Sequence, residues 1–245
     1  MLHVFATSEG FVAGGSVAAL LQASNGVFYG TTYFGGTKEG GTVFAITLNG
    51  EFTTLYNFDP LNGPGGVNPG GLIQGSDGNL YGTTFSNWQL GCGEGIGCGT
   101  IFKITPAGEI TTIYYSSPYF GAYPFGLVEA TNVGLVEATN GVLFGTAGGD
   151  PNQPYGSLFS LPAGLSPFVE AIPAAAESGS RIRILGTNLS ATSAVTFNGL
   201  PAAFTVVSSS EITTSVPAKA TTGRLQVVTP AGTISSNGPF RVISK

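Results

Sequence analysis

The chain has 245 residues, 13 of them acidic and 8 basic, for a net charge of −5, with one histidine and two cysteines. That length can bury apolar surface in more than one small domain, and 42% hydrophobic beside 9% charged residues excludes a chain too polar to pack. No apolar run approaches the ~20 residues of a membrane-spanning helix, and residues 1–11 lack the basic start and long apolar stretch of a secretory leader.

In chain order, residues 1–6, MLHVFA, read as a short apolar strand that aligns with residues 55–59, LYNFD. Residues 20–32, LLQASNGVFYGTT, recur as 72–84, LIQGSDGNLYGTT, and again as 135–147, LVEATNGVLFGTA. The first two copies are 52 residues apart. A unit repeated at that period cannot bury its apolar face alone and must stack on its copies. A second block follows each of the first two copies, GTVFAITLNGEFTTLYNF at 41–58 and GTIFKITPAGEITTIYYS at 99–116. Its remnant is GSLFSLPAG, from Gly156.

Within the first repeat the alternation of β-rich residues gives four runs, 20–23, 27–32, 42–47 and 52–58. Asn25-Gly26 and Asn49-Gly50 separate pairs of runs, and Asx-Gly favours tight two-residue hairpins. Four antiparallel strands per repeat predict a propeller-like blade. About three such blades are expected, the last fading after Leu161 without a clear fourth strand. Leu2, His3, Val4 and Phe5 are therefore expected to supply an edge strand, either to the run around Leu158–Leu161 or to a neighbouring molecule. The segment GLVEATN occurs twice, at 126–132 and 134–140, and the second copy is expected to be the strand because it leads directly into GVLFGT.

The blocks at 71–84 and 99–114 resemble the GloVer-type tandem repeat of bacterial surface proteins, over roughly residues 1–166. The resemblance implies a propeller-like extracellular fold, and the family, defined by its repeat, implies no established enzymatic activity.

Composition shifts near Leu165. All nine tyrosines, the tryptophan and both cysteines precede it, and six of the eight Lys and Arg follow it. Two domains are expected, 1–165 and 166–245, the first with two bases against ten acids and a balance of −8, the second with six against three and a balance of +3. In the second, short alternating runs at 181–185, 194–197, 203–207, 211–216, 224–229 and 240–243 indicate a small β-sandwich. Gly186-Thr187-Asn188-Leu189, Val195-Thr196-Phe197-Asn198-Gly199 and Val216-Pro217 are similar to the IPT/TIG immunoglobulin-like domain, which implies a spacer or contact module.

The chemistry-bearing residues are few. Cys92 and Cys98 sit in the Gly-rich insertion GCGEGIGC and are expected to form a disulfide, which implies an oxidising compartment. Neither a metal site nor a cofactor is expected, because two cysteines and one histidine fall short of four ligands. No G-x-S-x-G elbow is present, His3 lies in a strand, and Asp59, Asp77 and Asp150 have turn-forming neighbours, so no catalytic residue is nominated. An acidic repeat region without a basic, ring-studded face excludes nucleic acid as a partner. Tyr33, Trp88, Tyr119, Phe120 and Tyr123 fall in loops that vary between copies and are the candidates for stacking on sugars.

Closed propellers use four to eight blades, so three repeats leave two faces, each on the order of 300 Å² from strand spacing and rise. Such faces need partners. The leading expectation is an extracellular or cell-surface, non-enzymatic structural or adhesive protein that forms a homo-oligomer or filament through its blades. The alternatives are a lectin-like module for a surface glycan and, behind it, a polysaccharide-acting enzyme.

Overall fold

The computed structural model describes residues 3, 5, 18, 20–61, 66–86, 99–115, 135–147 and 157–243. Of the residues nominated above, Leu2, Val4, Trp88, Cys92, Cys98, Tyr119, Phe120 and Tyr123 lie outside them. The protein is all-β. Contacts divide the chain into two units, Met1–Val136 with Leu143–Ala163, and Glu137–Val142 with Gly164–Lys245.

In the first unit the repeat writes itself directly into strands. β1 (Leu21–Gln22), β2 (Phe28–Thr32), β3 (Thr42–Ile46) and β4 (Phe52–Asn57) form one antiparallel sheet in sequence order. β5 (Val67–Gln74), β6 (Leu80–Ser86), β7 (Thr100–Ile104) and β8 (Ile110–Tyr115) form a second of the same order. Among the described residues the third copy gives β9 (Leu135–Glu137), β10 (Val142–Ala147) and β11 (Ser157–Pro162), with β10 in the middle. The second GLVEATN copy supplies β9; the first lies outside the described residues.

The hairpins differ from the expected two-residue type. Ala23 N–H donates to Val27 O and Gly26 N–H to Ala23 O, which makes a three-residue loop whose positive φ falls on Gly26 alone (+82°). The same pair of bonds closes the turns at Gly50, Gly78, Gly108 and Gly141. Asn25 contributes through its side chain, Oδ1 accepting from Val27 N–H at 3.0 Å, so the Asx residue caps a type I-like turn and the glycine makes the bulge.

Two further features recur at matching positions. Thr54 faces Phe44 while Tyr56 faces Val43, leaving Leu55 as a bulge residue; Ile113 is skipped likewise between Thr112 and Tyr114. Buried Thr32 and Thr42 hydroxyls meet at 2.8 Å, and Thr84 and Thr100 at 2.7 Å, each pair also binding the second threonine's N–H. The third copy has Ala147 and Ser157 there, so the clasp cannot form.

The first two sheets share a core. Tyr29, Val43 and Ala45 on one face of the first pack with Leu72, Leu80, Phe102 and Ile104 of the second. Phe58 meets the Phe102 ring edge-on at 5.4 Å, and Thr31 Oγ1 donates to Gly70 O at 2.7 Å across the joint. Gly82 is needed because Phe102 lies over it.

The second unit is a sandwich. One sheet has β12 (Glu170–Ile172), β14 (Arg181–Leu185), β18 (Glu211–Ser215) and β17 (Phe204–Ser208), in that order. The other has β16 (Leu200–Ala202), β15 (Ala194–Phe197), β19 (Leu225–Thr229) and β20 (Gly232–Ser235). β13 (Ala175–Glu177) pairs in parallel with β21 (Arg241–Ile243). Alternate residues point inward, Ile182 and Ile184 meeting Val195, Phe197, Ile212, Leu225 and Val227 in one core.

Candidate functional site: two faces of the repeat sheets

Each repeat sheet has two faces, fixed by the alternation of β2 and β3. On one face lie Tyr29, Thr31, Val43 and Ala45, paired as Tyr29 with Ala45 and Thr31 with Val43. On the other lie Phe28, Gly30, Phe44 and Ile46, with Leu20 just ahead of β1. In the joint between the first two sheets, the tyrosine–valine face of one receives the leucine–phenylalanine face of the next.

The ends of this series are where the burial pattern breaks. Val43 is 0% exposed and its counterpart Ile101 1%, but the third counterpart, Leu158, is 75% exposed. Val136, the counterpart of Leu21 and Ile73, is 59% exposed, and Phe144 in β10 is half-buried. Thus the tyrosine–valine face of the third sheet is open where both earlier copies are closed.

At the other end the expectation of a bare flank is corrected. Phe44 is buried, and the ring of Phe5 stands edge-on to it at 5.1 Å and to Phe52 at 5.4 Å. His3 stacks flat on Phe52, centroids 4.2 Å apart with 3° between planes. His3 and Phe5 are thereby placed against the first sheet. Leu20, whose counterpart Leu72 is buried, stays 55% exposed beside them.

Tyr33 follows Thr32 as Phe85 follows Thr84, and the joint brings these equivalent positions together, 6.3 Å between centroids. Phe34 stands edge-on to Tyr33 at 4.6 Å and is 42% exposed. Burial pushes the Tyr33 phenol up from its ordinary value. The loop backbone is fixed from the neighbouring repeat: Asn68 Nδ2 donates to Tyr33 O at 2.9 Å and its N–H to Gly40 O at 2.8 Å. Phe34 and Phe85 are ring-platform candidates that the sequence reading missed; for Phe85 the signal was its place after GTT, matching Tyr33.

Asp77 does more than the hairpin turn expected of it. Its Oδ1 accepts Asn79 N–H, while Oδ2 accepts from Tyr81 Oη, Lys103 Nζ and Asn79 Nδ2 at 2.9, 2.8 and 2.7 Å. Partial burial raises the Asp77 carboxyl, but hydrogen bonds from Lys103, Asn79 and Tyr81 outweigh it and hold it below the usual carboxylate range. In the first repeat the corresponding residues are the neutral Asn25 and Ala45, with Asn25 Nδ2 donating to Tyr29 Oη at 3.0 Å. The charges thus substitute for an amide in one structural position, not in a reactive pair. Among the described residues no three His, Cys, Asp or Glu side chains cluster as metal ligands, and no helix is long and apolar enough to cross a membrane.

Tandem four-stranded sheets followed by an immunoglobulin-like sandwich define a modular all-β protein. The chain belongs to the Gloeobacter/Verrucomicrobia repeat family, whose model matches residues 1–180, and carries an IPT/TIG domain over residues 167–242. No curated protein matches it. Among solved structures, a fungal alcohol oxidase of the AA5 family in complex with copper aligns at a TM-score of 0.39 and 15% identity, covering 94% of this chain and 54% of its own. SGBP-B from a complex xyloglucan utilization locus in Bacteroides uniformis aligns at 0.27 and 13%, covering 66% and 45%. The chain spans about half the length of these structures, and likenesses this loose carry no functional argument.

Proposed function

We propose that this is a non-enzymatic structural module of the bacterial cell surface or extracellular space, in which the tandem repeat sheets assemble copies of the chain into oligomers or filaments. The IPT/TIG sandwich, residues 166–245, acts as a spacer or lateral contact. The observation that carries it is the exposure of Leu158 at a position buried in both other copies. An apolar strand face with repeat-encoded shape is costly to leave in water and is matched to another repeat sheet. A contact between unlike faces is heterologous, and it extends into a filament when its rotation does not close.

Light scattering of the full chain across a concentration series tests this. Mass should rise with concentration, and Leu158→Asp should hold the chain monomeric. A mass that does not change for either protein would overturn the reading.

A second reading, a lectin-like module, is favoured by one observation, the rings of Tyr33, Phe34 and Phe85 gathered at the loop ends of two repeats. Aromatic rings stack on the apolar faces of sugars. A glycan array with wild type and Phe34→Ala decides it: a signal lost in a folded variant supports the module, and no signal from wild type removes it.

A further inference from the structure

We infer that the open third sheet of one copy seats on the first sheet of a second copy, beside His3 and Phe5, which stay in place and form part of the seam. This rests on the assembly reading above and names the two faces that meet.

The joint between the first two sheets defines what such a seam contains. Phe102 is met from the first sheet by two things, the tyrosine–valine face and the ring of Phe58, which comes just after β4 of that same sheet. Phe58 in turn stands edge-on to Tyr56, 5.0 Å apart at 81°. On the first sheet the ring half of this arrangement is already present. Phe5 meets Phe44 at 5.1 Å and 69°, against 5.4 Å and 65° for Phe58 and Phe102, and His3 stands edge-on to Phe5 at 5.2 Å and 89°. The alignment of residues 1–6 with 55–59 sets His3 on Tyr56 and Phe5 on Phe58.

Burial marks the half left to fill. Leu20 is exposed and Phe28 half-buried where their counterparts Leu72 and Leu80 are buried, and Phe5 is half-buried where Phe58 is fully buried. A tyrosine–valine face laid over Leu20 and Phe28 closes all three. Each sheet has one face of that kind. Those of the first two are buried, at Tyr29 and Val43 and at Tyr81 and Ile101, whereas that of the third is open at Val136 and Leu158. The opposite face of the third sheet is closed at Leu135 and Leu143. The series therefore has unlike ends, and the two open faces are of the kinds that mate inside the chain. A closed ring of such sheets needs at least four, so three cannot bring their own ends together and the mate belongs to a second copy. The contact is heterologous, each copy acting as donor at one end and acceptor at the other.

Because the seam is directional, it can be divided between two full-length variants. Leu20→Asp disables the acceptor face and Leu158→Asp the donor face, and both side chains are exposed, so the new charges should leave folding intact. Near-ultraviolet circular dichroism checks that the repeat region of each is folded. In sedimentation velocity each variant alone should stay monomeric. An equimolar mixture should form a pair of twice the monomer mass and nothing larger, since the intact acceptor of one meets the intact donor of the other. Adding Phe5→Ala to the Leu158→Asp chain should weaken that pair about tenfold, and adding it to the Leu20→Asp chain, whose acceptor is already disabled, should leave the pair unchanged. A wild type that associates while the mixture stays monomeric, or a Leu20→Asp chain that associates alone, overturns the pairing of faces and leaves the assembly reading standing. A Phe5→Ala acceptor chain that pairs as tightly as its parent, or more tightly, overturns the place of the rings in the seam. A wild type that stays monomeric removes the assembly reading, and this inference with it.

Discussion

Gly82→Ala probes the packing of the repeats at its tightest point. A Cβ at this position would lie 2.6 Å from Phe102 Cζ and 2.8 Å from Leu72 Cδ2. Ordinary contact begins near 3.4 Å, so both side chains must retreat, yet Phe102 is 0% and Leu72 2% exposed. Phe102 is also backed by Phe58, whose ring stands edge-on to it at 5.4 Å. Forcing one methyl into such a site costs about 2 to 3 kcal/mol, at the upper part of the usual range for overpacking. For a unit of this size that lowers the melting temperature by roughly 5–10 °C.

The control is Gly78→Ala. There φ is +81° and nothing lies within 4 Å of the added Cβ, so the cost is left-handed backbone strain alone, about 1 kcal/mol and roughly 2–4 °C. Near-ultraviolet circular dichroism isolates the relevant transition, because every tyrosine and the tryptophan precede residue 166. A Gly82→Ala protein as stable as Gly78→Ala, or more stable than wild type, would refute the ring-over-glycine packing.

Three further outcomes are expected. Thr84→Val removes a buried hydroxyl that bonds both the Thr100 hydroxyl and its N–H, and should cost about 1–3 kcal/mol by denaturant unfolding, with Thr84→Val/Thr100→Val costing less than the two single changes added. The Asp77 carboxyl is held below its unfolded value, so its contribution is fully present above the unfolded pKa near 4 and is lost as pH falls through the lower folded value; Asp77→Asn should flatten the acid limb of a stability–pH curve and leave the neutral region nearly unchanged. In the sandwich, Arg183 makes a two-pronged pair with Glu211 at 2.9 and 3.1 Å on an exposed surface, and Arg183→Ala should leave the midpoint of urea unfolding close to that of wild type.

Much of this architecture was legible because the repeat supplies its own control. Alternation in 27–32 and 42–47 placed β2 and β3 to within a residue. In the sandwich, Arg181–Leu185 and Ala194–Phe197 were read to the residue. Glu170–Ile172, Ala175–Glu177, Leu200–Ala202 and Gly232–Ser235 were missed, since three or four residues carry too little alternation to signal a strand, and Leu200–Ala202 contains proline.

What escaped depends on distance in space. Threonines at 32, 42, 84 and 100 look like surface strand residues until their hydroxyls are paired across the ladder. Lys103 opposite Asp77 becomes meaningful only once β6 and β7 are in register. The docking of Phe5 on Phe44 repeats that of Phe58 on Phe102 and follows the alignment of residues 1–6 with 55–59, but only the folded sheets show the rings in contact. The aromatic pair Tyr33 and Phe85 was available from alignment of the copies, yet only stacking of the sheets makes them neighbours.

The most direct measurement joins the two end faces chemically. A Leu20→Cys chain mixed with a Leu158→Cys chain under mild oxidation should give a disulfide-linked pair on a non-reducing gel, well above the yield from either variant or wild type alone. A mixture that yields no more than its separate components would contradict the claim that the open third sheet seeks the first sheet of another copy.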